Sequence, residues 1–494
     1  MRYVSMHRMI ELSYICSYCY FSTGCRLVTE EVSGYSLPGD ITLGGLFPIH
    51  VEVTYPVITY KECPQPLQCK RSFNIRFYRL LLAMEFAIME INKSNDLLPN
   101  ITLGFHLYDS CYNELRSLIG ATWILSGEKN GVPNIHCNKD LMPLAIVGDF
   151  PSKASEPLAR ILGLYRYPQI SYASGLPVLS NKMYFPSFFR TIHNGDNELF
   201  AIVQLVKYFN WTWIGVIFSN NDVGILGAQI VTREIEKNGG CIAFQETLPI
   251  ISSMESVYRI IGLVKRSRAT VILLFCTIEN LFPLMELASY HNITGKVWVS
   301  TSGWSITSNF ARRDILTTLN GSLALAPQKG KIPGFKEFLY SIHPTRFPDI
   351  VWCTGEERLD SIDPNIYDVY NFIYSYRTHN AVFAVAHALH QMKNCVPGKG
   401  PFKNGSCADI YNHRPWQLLH YLRKVDFNNT AGKRIYFDEN GDVPQSVDIL
   451  NWQLFPNGSN QYVSIGSFDS GSLNGEGLSI QLNKILWNGG HSQV

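Results

Sequence analysis

Residues 213–237 read WIGVIFSNNDVGILGAQIVTREIEK. Trp213–Phe218 is a short apolar run of strand length, Ser219–Asp222 is a polar turn, and Leu226–Lys237 carries helical spacing. Runs like it occur at Leu144–Gly148, Ile170–Ala173, Thr270–Phe275 and Val297–Ser300, each bounded by Gly, Pro, Asn or Ser, as strands buried on both faces tend to be. Helical periods lie between them. Over Arg76–Asn92, Phe77, Leu81, Met84, Ile88 and Ile91 fall on one face, and Pro99 marks a stop. Glu156–Tyr165 and Asn197–Tyr208 also read as helices, as does Asn380–Met392, with Val382, Ala386 and Leu389 on one stripe. The alternation restarts near residue 194. The pattern predicts an α/β protein of two doubly wound, parallel-sheet lobes, with a ligand at the strand ends or in the cleft between lobes.

The 494 residues are 46% hydrophobic and 17% charged, with a formal net charge of +2. The length fits two or three domains. The neutral balance gives no electrostatic footprint for nucleic acid. No run approaches the roughly 20 apolar residues of a membrane helix; the longest strongly apolar stretches, such as Ala269–Phe275, have strand length. Twelve cysteines suit several bridges in a large secreted protein. Sequons begin at Asn92, Asn100, Asn210, Asn292, Asn320, Asn404, Asn428 and Asn457, which favours the secretory pathway. Residues 1–24 hold only a poor signal-like stretch or a misassigned N-terminus, since charges interrupt the apolar run. Cys16 and Cys19 lack the second pair that zinc spacing needs.

Catalytic signatures are missing: there is no H-E-x-x-H, G-x-S-x-G, phosphate loop or dinucleotide fingerprint. His387 and His390 lie three apart on a helix, without a third ligand nearby in sequence. Asp438 and Glu439 precede Asn440 and Gly441, which reads as a turn. No enzyme, cofactor or metal is expected.

Longer stretches carry a resemblance. Residues 39–50 read GDITLGGLFPIH, 83–107 AMEFAIMEINKSNDLLPNITLGFHL, 168–182 PQISYASGLPVLSNK and 188–192 FFRTI. Residues 292–299 read NITGKVWV, 330–339 GKIPGFKEFL and 404–410 NGSCADI. Together these resemble the extracellular ligand-binding module of class C G-protein-coupled receptors, and many are similar in the calcium-sensing receptor. CRL at 25–27, CTGEE at 353–357, NAVFAVAHAL at 380–389 and FDENGD at 437–442 resemble the vomeronasal type-2 pheromone receptors.

The resemblance implies a bilobed Venus-flytrap fold, like that of periplasmic binding proteins, with the lobes joined by crossing strands. Residues 39–193 and 323–449 would form the first lobe, 194–322 and 450–478 the second, and 479–494 a final first-lobe strand and the start of a linker. A ligand touching both lobes would favour the closed state. In the family, closure acts through a homo- or heterodimer on a seven-helix membrane domain that engages a heterotrimeric G protein. That domain and its cysteine-rich linker would follow Lys484–Trp487. The implied location is the extracellular side of the plasma membrane, or secretion if the chain ends where it does. The implied ligand is a peptide, a small protein or an amino-acid-like molecule. The alternatives are a calcium-sensing-like amino-acid and cation receptor, and a soluble flytrap binding protein.

Carried over position by position, the resemblance places Ser152 where a first-lobe hydroxyl meets a ligand carboxylate; a helix N-cap is the alternative. Gly175 stands where amino-acid-binding members have Ser or Thr, beside Ala173 and Ser174. Gly195 replaces an acid, with Asp196 next to it, and Val223 replaces a covering tyrosine. Ser302, followed by Gly303, replaces the acid that pairs with the ligand ammonium. Leu80 occupies a ligand-facing position on the first helix, or packs in the core. A zwitterion needs both charges met, so weak or absent binding of free amino acids is expected.

The resemblance also implies a Cys69–Cys111 bridge, a Cys395–Cys407 loop bridge and an intermolecular disulfide through Cys137. Cys241 and Cys353 would lack partners, and Cys276 would be a small core residue. Glycans are expected at Asn100, Asn292, Asn404 and Asn428.

Overall fold

The computed structural model describes residues 34–126, 143–302, 313–342 and 372–488, apart from short stretches at 57–58, 60, 62–66, 70–72, 250–252, 277, 413, 445, 456–459 and 470–476. Gly303, Cys137 and Cys353, and the signal-like residues 1–24, lie outside the described residues.

Two sheets build two lobes. The first has six strands in the order Gly34–Leu37, Leu103–Asp109, Ile41–Phe47, Ile146–Val147, Gln169–Ser171, Phe188–Arg190. All neighbours are parallel except the outermost strand, Gly34–Leu37, which runs antiparallel to Leu103–Asp109. Every residue of Ile41–Phe47 is buried, as a strand covered on both faces requires. Gly44 and Gly45 permit that cover, because a Cβ there would lie 2.7 Å from Ile124 or 2.4 Å from Leu107. The helix Ile75–Lys93 starts where the Asn74 side chain accepts from the N–H groups of Arg76 and Phe77. It packs Leu81, Met84, Ile88 and Ile91 into the core shared with the long helix Ile373–Lys393. Leu80 belongs to that core too, at 3% exposure, so the ligand-facing alternative for it does not hold.

The second sheet has eight strands in the order Cys241–Leu248, Trp213–Ser219, Val271–Phe275, Val297–Ser300, Leu323–Pro327, Val447–Leu454, Asn460–Phe468, Leu478–Ile480. The first five are parallel and the last three antiparallel. Each face has its own apolar core. Two expected boundaries therefore move. Leu323–Pro327 completes the second sheet rather than reopening the first lobe. Leu478–Ile480 is the edge strand of the second sheet, and Trp487 packs in the second-lobe core against Phe209, so 479–494 does not return to the first lobe. A three-residue edge strand takes its lobe from pairing across the sheet, which has no local signature.

The chain crosses between the lobes after Arg190, after Pro327 and before Val447. Buried polar contacts bind the crossings together. Thr191 Oγ1 donates to Arg377 O (2.8 Å), and Arg377 Nη2 donates to Gln328 O (2.7 Å). Arg190, with no exposed side-chain surface, pairs with Asp442 through Nε (2.7 Å) and Nη2 (2.9 Å). The Asp438–Asp442 segment is the expected turn, closed by Asp442 N–H donating to Asp438 Oδ1 (2.9 Å). Both expected intrachain disulfides, Cys69–Cys111 and Cys395–Cys407, are present. Cys241 is free and exposed. Cys276 packs at the edge of a second-lobe core, and burial pushes its thiol up to about 12.

Candidate functional site

The loop from Gly148 to Ser152 and the turn after Ser171 lie at the carboxyl ends of the first-lobe strands Ile146–Val147 and Gln169–Ser171, where ligands of such sheets bind. The helix Ser152–Leu164 begins four residues earlier than its apolar spacing indicates, and its cap is Pro151, which offers no side-chain acceptor. Ser152 is thus the first helical residue and not the N-cap. Its half-buried hydroxyl accepts from the Leu176 N–H at 3.3 Å. The helix N-terminus and its dipole favour an anion there.

Behind Ser152 lies a closed polar network. Ser174, fully buried, donates from Oγ towards Asp149 O (3.2 Å) and contacts Ser155 Oγ (2.6 Å). Ser171 Oγ donates to Asp149 O (2.8 Å) and accepts from Ser174 N–H (2.9 Å). Ser174 therefore stands behind the pocket wall and not on it, correcting its assignment as a ligand contact. Arg190 Nη1 donates to the carbonyls of Ser174 (3.2 Å) and Leu176 (3.0 Å), fixing the same turn from below. Burial pushes the Asp149 carboxyl up to about 7, against the hydrogen bonds from Ser110 and the Phe150 N–H.

Ala173 and Gly175 are half-buried on the surface of this turn. Gly175 O accepts from Gly195 N–H at 2.8 Å. A Cβ on Gly175 would meet nothing closer than 3.8 Å, so a serine fits; a Cβ on Gly195 would sit 2.8 Å from Gly175 O. The missing hydroxyl at 175 is a matter of sequence, whereas a side chain at 195 would have to displace backbone. Asp196 is the first residue of the helix Asp196–Tyr208; burial raises its carboxyl, with Arg190 opposing.

Sequence reading missed the aromatic wall beside Ser152. Phe150 meets Phe77 and Tyr374 at 4.7 Å each, edge to face, and lies 6.2 Å from Tyr112 and 6.3 Å from Tyr172. Lys153 Nζ sits 5.0 Å over the Tyr112 ring. Phe77, Tyr112, Phe150 and Tyr374 are all half-buried. They come from four separate segments, so no periodicity could group them.

On the second lobe, Val223 is 59% exposed at the start of the helix Asp222–Lys237. Ser302 donates its N–H to Glu198 Oε2 (2.9 Å). Glu198, also missed, is buried and bonded through Oε1 to His193 Nε2 (2.8 Å). Burial alone would raise its pKa, but the bonds from His193 and Ser302 outweigh that and hold it below the usual range. Burial and the Glu198 charge raise the Tyr374 phenol, so the aromatic wall and this carboxylate are electrostatic neighbours.

His387 and His390 form no metal pair. His387 stacks on Phe427 at 4.2 Å, where burial lowers it to about 4. His390 Nδ1 accepts from Leu98 N–H, and its Nε2 faces Asn394. Among the described residues the one group with metal-type ligands is Cys69, Asp109 and Cys111, and the disulfide occupies both sulfurs.

Residues 79–454 match the family described as the receptor family ligand binding region. The chain belongs to that family. Its fold is accordingly the bilobed flytrap. The chain is 33% identical to the extracellular calcium-sensing receptor of Bos taurus, over 96% of this chain and 48% of that receptor. It is 34% identical to the human one, over 92% and 47%. It is 31% identical to taste receptor type 1 member 1 of Mus musculus, over the whole of this chain and 59% of that receptor. The chain spans about half the length of the curated relatives it matches. It is a ligand-binding region related to class C receptors. No helix among the described residues is long and apolar enough to cross a membrane.

Proposed function

We propose that this chain is the extracellular ligand-binding region of a class C receptor of the vomeronasal pheromone type, and that it takes a ligand larger than a free amino acid. Ligand binding closes the two lobes, and a homo- or heterodimer, with Cys137 as its intermolecular disulfide, carries the change to a membrane domain outside these 494 residues. Coupling to a heterotrimeric G protein belongs to that domain. The cleft binds and does not catalyse.

One observation carries the ligand class. The first lobe keeps an anion-competent helix start at Ser152, yet the other expected ligand groups, on its own lobe and on the second, are absent. Gly175 has no hydroxyl, Val223 no phenol and Ser302 no carboxylate, and Glu198 is already held by His193 and Ser302. A free zwitterion would leave its ammonium poorly matched at a cost of several kcal/mol. A peptide can seat its carboxylate at Ser152, place apolar side chains on the Phe77–Phe150–Tyr374 wall and meet the rims elsewhere. The calcium-sensing relatives favour a second reading, an amino-acid and cation receptor.

Small-angle scattering and calorimetry on the secreted chain separate the two. Aromatic peptides with a free C-terminus should close the lobes, and the common amino acids should leave them open at submillimolar concentration. Closure by a single amino acid would sink the peptide reading. Combining Gly175→Ser, Val223→Tyr and Ser302→Glu should confer the amino-acid response that the native chain lacks.

A further inference from the structure

Asn210 and Asn292 occupy the same local structure at the ends of two second-lobe helices. After Asp196–Tyr208, the N–H of Asn210 donates to Lys207 O (3.1 Å) and that of Trp211 to Val206 O (3.0 Å). After Ile278–Tyr290, the N–H of Asn292 donates to Ser289 O (2.8 Å) and that of Ile293 to Ala288 O (3.0 Å). Both asparagines are left-handed, at φ 52° and 49°. This is the paired-bond helix stop that asparagine and glycine tolerate. Both are exposed, with no hydrogen bond to the side-chain amide among the described residues, and both begin a sequon, Asn-Trp-Thr at 210–212 and Asn-Ile-Thr at 292–294.

We infer that Asn210 is an N-glycosylation site, the structural twin of Asn292, bearing its sugar on the side of the second lobe opposite the cleft. Topology fixes the direction. Asn210 precedes the strand Trp213–Ser219, and Val223 follows that strand; Asn292 precedes Val297–Ser300, and Ser302 follows it. Ligands of such sheets sit beyond the carboxyl ends of the strands. A seven-residue strand puts the sugar about 20 Å from the Val223 end. Asn210 itself lines a small groove together with Val206, Lys207, Trp211 and Asn238. Asn92 supplies the contrast. Its amide donates to Leu103 O (2.9 Å) and accepts from Leu103 N–H (2.8 Å), so a sugar there would disturb the bonds that place a first-lobe strand. A glycan at Asn210 leaves the cleft open and denies this corner of the second lobe to a docking partner.

The inference rests on the extracellular reading above. The test expresses the full chain behind an added secretory leader in mammalian cells and maps glycopeptides by mass spectrometry. Asn210 and Asn292 should both carry sugar and Asn92 should be bare. Asn210→Gly keeps the left-handed stop and Thr212→Ala keeps the asparagine; each should lose one glycan's mobility on a gel without loss of secretion. A bare Asn210 beside an occupied Asn292 overturns the inference alone. Retention of the chain with every sequon bare counts against the inference and the extracellular reading together.

Discussion

Each lobe holds a buried carboxylate next to a candidate site residue, Asp149 near Ser152 and Glu198 at Ser302, and the two are held in opposite ways. Asp149 of the first lobe lies under the Ser152 loop, where burial pushes it up to about 7. Glu198 of the second lobe is bonded to His193 and Ser302 and is held below the usual carboxylate range. The surroundings differ in the same sense. The first-lobe wall is pre-organised by Arg190, Ser155, Ser171 and Ser174 and faced with aromatic rings. The second-lobe face offers exposed Val223 and a Ser302 already committed to Glu198. The first-lobe face is an ordered polar and aromatic wall, and the second-lobe face presents an exposed valine beside a backbone N–H already bonded to a carboxylate.

The largest expected effect falls on the arginine under the first wall. Arg190→Met leaves Asp442 buried without its partner and frees the Ser174–Leu176 turn, which should cost about 3–5 kcal/mol in denaturant unfolding. Adding Asp442→Leu should recover much of that. A single-variant loss below about 1 kcal/mol would break the claim that the wall depends on Arg190.

Asp149→Asn should act in the other direction. The folded pKa of about 7 lies above the unfolded value of 3.8, so the folded chain holds more protons between them. That contribution falls as pH rises through the window, and Asp149 destabilises most above about pH 7. The variant should gain stability at pH 8, by no more than about 4 kcal/mol, and flatten the profile between those values. Melting temperature against pH reads it.

Glu198→Gln should show the opposite sign. A depressed folded pKa gives stability present above the unfolded value of 4.5 and lost as pH falls through the folded one. The variant should lose about 1.5–3 kcal/mol at neutral pH and little in acid. Matching pH profiles for the two variants would erase the contrast between the lobes. Smallest of all, Val223→Ala on the exposed second-lobe face should shift stability by less than about 0.5 kcal/mol.

The periods read from residues 76–92 and 213–237 became the helix Ile75–Lys93 and the strand–helix pair Trp213–Ser219 and Asp222–Lys237. Both cysteine pairings inside the described residues held. Local spacing failed where a segment's role depends on distant partners. Ser152 opens its helix four residues before the apolar stripe begins, because Pro151 and the Leu176 contact set the start. Leu478–Ile480 belongs to the second sheet only through pairing with Gly466, Ser467 and Phe468. The aromatic wall and the His193–Glu198–Ser302 chain join residues that share no motif.

By itself the sequence determined that there are two α/β lobes. It also determined that Gly175, Gly195, Val223 and Ser302 stand where the resemblance expects hydroxyl, acidic or phenolic groups, since residue identity and hydrophobic period are properties of the chain. Tertiary structure alone decided which serine keeps an accessible surface. Ser152 and Ser174 are equal as hydroxyls. Only the folded protein buries one behind Asp149 and Arg190 and leaves the other at a helix start, because burial and hydrogen-bond partners are set by segments far apart in the chain.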